Sequence, residues 1–160
     1  MTAEVVFGIN VAFSFLVWGL VTRRYIWPAL LRRSREDALR ILLYLHAFRF
    51  VGLAFVVPGV VSPDLPSSFA MPAAYGDLVT AILALFSIAA LKHGAGIFLA
   101  WICNLVGTID LLHAFYEGNR SGVGDAPGLQ GAAYFIATAL VPLLLIAHAL
   151  AFRLLLRKET

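Results

Sequence analysis

Charge is scarce in this sequence: charged residues make up 13% of its 160 residues, about half the share of a soluble domain. Cysteine is scarcer still. A single one, Cys103, stands inside an apolar run, which excludes an intrachain disulfide, a CxxC redox pair and a thiolate zinc site. GxSxG, HExxH, P-loop and GxGxxG patterns are absent from the chain, as are the paired glutamates and Glu-x-x-His of a di-iron bundle. No polar stretch is long enough to fold a soluble nucleotide-binding domain, and an excess of +3 gives no reason to expect nucleic acid as a partner.

What remains is apolar sequence. Hydrophobic residues reach 61% and mean hydropathy is +0.89, with the charge confined to short clusters between long apolar runs. That pattern belongs to a polytopic membrane protein. Five spans are predicted in one all-α, single-domain bundle over residues 1–160: about Glu4 to Val21, Leu39 to Val61, Tyr75 to Leu91, Ala95 to Tyr116 and Gly131 to Leu156. The first run has Glu4 before it and Arg23 and Arg24 after it, the reverse of a cleavable signal, so it reads as the first span. Ser34 with Asp37 makes a capping box that starts the second. Tyr25, Trp27 and Pro28 suggest a short interfacial segment before it. The proline-rich stretch from Ser62 to Pro72 and the glycine-rich stretch from Gly118 to Gly128 read as loops on the opposite side.

Basic residues set the orientation. Arg23, Arg24, Arg32, Arg33, Arg35, Arg40, Lys92, Arg153, Arg157 and Lys158 all fall on one side, and only Arg120 falls on the other. The positive-inside rule then predicts an inner-membrane protein with its N-terminus outside and its C-terminus in the cytoplasm.

Arg49 breaks the pattern, because it lies near the middle of an apolar run. A charge at that depth costs about 2.5–3.5 kcal/mol on insertion scales, so it faces protein or water and has a partner. Asp77 and Asp110, each within another span, are the available carboxylates. Depth predicts an outer-half cluster of Arg49, Asp77, Asp110 and Asn10. Projection at about 100° per residue gives every span a polar side, to which Asn104, Tyr134 and Thr138 also belong. Hydroxyls and small residues such as Ser14, Thr80, Ser87 and Gly107 have an ordinary use in joining helices. Pro142, between Thr138 and His148, should kink the last span and free a carbonyl.

Of the four histidines, His93 reads as solvated and His113 as interfacial. His46 and His148 lie at matched depth, about 8–9 Å from the inner ends of their spans at 1.5 Å per residue. Two inward histidines at one depth are what a b-type haem needs; they can equally hydrogen-bond to each other or to nearby hydroxyls.

Three functions follow. The first is a polar intramembrane cavity, formed by Arg49, Asp77, Asp110, Asn104, Asn10, Tyr134 and Thr138, that binds or passes a small molecule or ion. The second is a redox protein with haem b on His46 and His148. The third is a membrane subunit that docks a partner protein or a second copy of itself. An enzyme is the least supported reading: Asp110, His46, Arg49 and Tyr134 could exchange protons, but nothing marks a nucleophile or a substrate.

Overall fold

The computed structural model describes residues 1–157; Lys158, counted above among the basic residues, lies outside them. The fold is all-helical, with no β-strand among the described residues. Among the described residues five helices are long and apolar enough to cross a membrane: α1 (Ala3–Leu31), α2 (Arg35–Val56), α3 (Ser67–Ala90), α4 (Gly96–Arg120) and α5 (Ile136–Leu155).

Local chemistry explains most boundaries. Thr2 caps α1 by accepting the Val5 N–H, and Ser34 caps α2 by accepting the Asp37 N–H at 3.1 Å, as the capping box predicts. Three expectations are corrected. α1 does not stop at Val21 but passes through a wide turn over Thr22–Ile26, closed by the Trp27 N–H on the Thr22 carbonyl. Pro28 follows at a first-turn position, where its missing N–H costs nothing. Tyr25 and Trp27 are therefore helical, and Trp27 lies under the Arg153 guanidinium at 4.6 Å. Next, α3 begins at Ser67 rather than Tyr75, so much of the supposed proline-rich loop is helix. Its alanines favour helix, and Pro72 falls early enough to remove only one hydrogen bond. Finally, the continuous helix of the last span begins at Tyr134, just past Gly131, with its apolar stretch counted from Ile136. Gly131 has φ +51°, and its left-handed backbone sets off a tight turn over Pro127–Ala133 from α5.

α2 changes character midway. Arg35–Ala47 is α-helix, and Phe48–Val56 is 3₁₀-helix, long for a geometry that seldom exceeds three or four residues. At three residues per turn, positions three apart eclipse. Arg49, Gly52 and Phe55 are the buried residues of this segment, so one straight row carries a guanidinium, a gap and an aromatic ring. α2 ends at Val56, short of the predicted Val61, and Pro58 lies beyond it in a bridge to Val61.

Two apolar clusters make the core. One gathers Leu30, Leu39, Leu42, Leu91, Cys103 and Leu154. The other gathers Phe55, Phe69, Ala73, Val123 and Ala133 near the loops that precede α3 and follow α4. Small residues on α3 and α5, among them Ala74, Ala81, Ala84, Ala147 and Ala151, are buried and let backbones approach closely. α1 stands at the edge of the bundle: between Ala3 and Val21 it buries no residue. It leans on the start of α5 through Trp18 Nε1, which donates to the Ala139 carbonyl at 3.2 Å.

Candidate functional site

Arg49 is completely buried, and each end of its guanidinium is tied down. Nε donates to Asp77 Oδ1 at 2.6 Å and Nη2 to Asp110 Oδ2 at 2.5 Å. Nη1 donates to the Gly107 carbonyl at 3.0 Å and to His148 Nε2 at 3.1 Å. One side chain of α2 therefore joins α3, α4 and α5. Charge-assisted bonds in this fork geometry are what guanidinium supplies and ammonium does not.

The histidine contact fixes a tautomer. An arginine can only donate, so His148 Nε2 is the acceptor and its proton sits on Nδ1. That proton is donated to Asn104 Oδ1 at 2.7 Å, while Asn104 Nδ2 donates to the His148 carbonyl at 3.3 Å. Asn104 thus holds His148, and His148 holds Arg49.

Each charged side chain is seated on a glycine of a neighbouring helix. A Cβ on Gly52 would collide with the Asp77 carboxylate, and one on Gly76 with the Asp110 carboxylate. A Cβ on Gly107 would come within 2.7 Å of Arg49 Nη1, of His148 Cε1 and of Thr80 Cγ2. The three glycines come from α2, α3 and α4, so the cluster is built where the helix backbones come closest.

The carboxylates form one end of a cavity. It has a volume of about 90 Å³ and is walled by Phe7, Phe55, Phe69 and Phe115, with Ala114 and Gln130 also on its surface. It runs from Asp77 and Asp110 to Asn119 and Gly124, and Asn119 is exposed. Only one oxygen of each aspartate is used by Arg49; Asp77 Oδ2 and Asp110 Oδ1 have no hydrogen bond among the described residues. Arg49 itself lies behind them and reaches no free surface.

The predicted cluster of Arg49, Asp77 and Asp110 is therefore assembled, with Asn104 and His148 behind it. Asn10 does not join it, which corrects that expectation: its Nδ2 donates to the Tyr134 hydroxyl at 2.7 Å, where α1 meets the helical residues that lead into α5. α1 is peripheral and meets α5 instead of the centre. Tyr134 is taken up by that bond and by edge contact with Phe7. The Thr138 hydroxyl donates to the Tyr134 carbonyl of its own helix at 2.8 Å. Pro142 follows a second wide turn, closed by the Val141 N–H on the Ile136 carbonyl; the helix widens just ahead of the residue that cannot donate.

His46 and His148 do come together, but as a stack: their ring centroids are 3.9 Å apart with 19° between planes. Axial haem ligands meet the metal edge-on from opposite sides, so a macrocycle would enter only if α2 and α5 parted. Both ring nitrogens of His46 lack a hydrogen-bond partner among the described residues. Among the described residues, no group of three or more His, Cys, Asp or Glu is placed to share a metal ion.

Gly52, Gly76, Gln130 and the four phenylalanines escaped the sequence reading. Phenylalanine in an apolar span signals nothing by itself. A glycine spaced to face a buried carboxylate is a usable signal only once the helix pairing is known.

Residues 6–156 match the family model described as Domain of unknown function (DUF8737), so the chain belongs to that family. No curated protein and no solved structure matches it.

Proposed function

We propose that this member of the DUF8737 family is a multi-pass protein of the cell's inner membrane that binds a small molecule in an intramembrane cavity. Five apolar helices support the membrane reading. The observation that carries the binding reading is the aromatic-walled cavity ending on two aspartates held by a buried arginine. A bundle that needed only to stand upright in lipid would gain little from three buried charges, whose desolvation offsets much of their attraction. Ionisable groups inside a span mark function by default.

Orientation follows from the loops. Arg23, Arg24, Arg32, Arg33 and Lys92 put the α1–α2 and α3–α4 connections on the cytoplasmic side, and the cavity mouth at Asn119 faces outward. Cysteine placed at Ser121 should then react with a membrane-impermeant maleimide in intact cells, and cysteine at Lys92 only after lysis. The opposite pattern would invert the assignment.

The cavity reading is tested by filling it. Ala114 lies on its wall, and Ala114→Phe should occupy the space. A small-molecule screen by thermal shift on the detergent-purified protein should give ligands that raise Tm by several degrees. Those shifts should vanish in Ala114→Phe. Shifts that persist at full size in the filled variant would show that the compounds bind elsewhere.

A further inference from the structure

The cavity's polar end holds more acid than base. Two carboxylates share one guanidinium, and the nearest histidine partner of Arg49 is held as a neutral acceptor. His113, one turn along α4 from Asp110, is exposed. With both aspartates ionised, the buried cluster carries one uncompensated negative charge. Such a charge in a water-poor site calls for a positive partner. Arg49 does not invite an anion, because it is sealed behind the aspartates. What the cavity does offer is the two carboxylates of Asp77 and Asp110, each with one oxygen on Arg49 and the other resting against a glycine, Gly52 or Gly76.

A second, independent observation lies elsewhere on the cavity wall. Gln130 is 2% exposed, lines the cavity, and its Oε1 has no hydrogen-bond partner among the described residues. A buried amide left unpaired costs about 1–3 kcal/mol; a ligand with a polar group at that point would remove the penalty. Between the two polar features the wall is aromatic, and phenyl faces attract cations as well as apolar bodies.

Building on the cavity reading above, we propose that the ligand is a small organic ammonium compound with a second hydrogen-bonding group: its cationic head meets Asp77 and Asp110, its short apolar body lies among Phe7, Phe55, Phe69 and Phe115, and its polar group meets Gln130. The volume of about 90 Å³ limits the ligand to a few heavy atoms, since an apolar cavity of about 150 Å³ holds a benzene. Amino alcohols and short diamines have the required size and chemistry.

A charge series at constant size tests this. The probes are 2-aminoethanol, 1,2-ethanediol and glycolate, titrated at neutral pH into the detergent-purified full chain and followed by ligand-observed NMR. The ammonium compound should bind at least about tenfold more tightly than the diol, a difference of about 1.4 kcal/mol, and the carboxylate should bind weakest. Asp110→Asn should erase the preference for the cation over the diol. Gln130→Leu should weaken both while keeping their ratio, a pattern that general loss of structure would not give. Equal binding of the three probes, blocked by Ala114→Phe, would overturn the ammonium assignment and leave the cavity reading standing. Tightest binding by the carboxylate would overturn it as well. No binding by any probe while the screen yields ligands sensitive to Ala114→Phe would likewise overturn the assignment alone; no binding by the probes together with an empty screen would overturn both readings.

Discussion

Replacing Arg49 with alanine is expected to destabilise the bundle by about 3–5 kcal/mol, the range for breaking a buried ion pair. The loss has two parts. Four hydrogen-bonding contacts to α3, α4 and α5 disappear, and Asp77 and Asp110 are left facing each other with nothing between them. Such a loss is a large part of the 5–15 kcal/mol that holds a typical domain together, so most of the protein should fail to reach a folded, monodisperse state in mild detergent. Arg49 ties α2 to α3, α4 and α5, so its loss should be felt by the fold. Arg49→Lys should restore only part of the loss, since an ammonium is a point donor and cannot span two carboxylates, a carbonyl and an imidazole at once. The check is the folded fraction and melting temperature of each variant. A wild-type melting curve for Arg49→Ala would mean that the guanidinium does not hold the helices.

The second large effect is expected at Gly107, where the change is a single methyl group. In Gly107→Ala the new Cβ meets Arg49 Nη1, His148 Cε1 and Thr80 Cγ2, each at 2.7 Å. None of the three can step aside freely. The guanidinium is fixed by its other contacts, His148 is fixed by Asn104, and Thr80 is fully buried with its hydroxyl bonded to the Gly76 carbonyl. Overpacking of this kind costs about 1–3 kcal/mol. The control is Gly8→Ala on α1, where no atom lies within 4 Å of the added Cβ. There the methyl should be neutral or stabilise by about 0.5–1 kcal/mol, because glycine weakens a helix interior. Paired unfolding titrations in the same detergent separate the two cases. Equal stability of the two variants would mean that α4 does not approach Arg49 through Gly107.

The ion cluster was readable from sequence because a lone arginine in an apolar span demands a carboxylate, and only two lay at suitable depths. Three of the four helix starts or stops that moved did so for local reasons that periodicity cannot weigh. Pro28 and Pro72 are compatible with helix where they stand, the wide turn at Thr22–Ile26 lets α1 continue, and Val56 ends a segment wound as 3₁₀. Gly131 needed its backbone angle to be known. Helix-face projection gave Asn10 a polar side but no neighbour, since it says nothing about which helices touch. The same limit hid the pairing of Gly52 with Asp77 and of Gly76 with Asp110, and it hid the cavity, whose phenylalanines come from α1, α2, α3 and α4.

The most direct measurement is a stability cycle across the three charges. Arg49→Met, the double variant Asp77→Leu with Asp110→Leu, and the triple variant combining them are unfolded side by side with the wild type. A mutually dependent cluster gives strong non-additivity: the single and double variants each leave a buried charge unpaired, and the triple variant, which leaves none, should be more stable than either. A triple variant whose loss equals the sum of the other two would contradict the cluster, because it would mean that Arg49 and the two aspartates act independently.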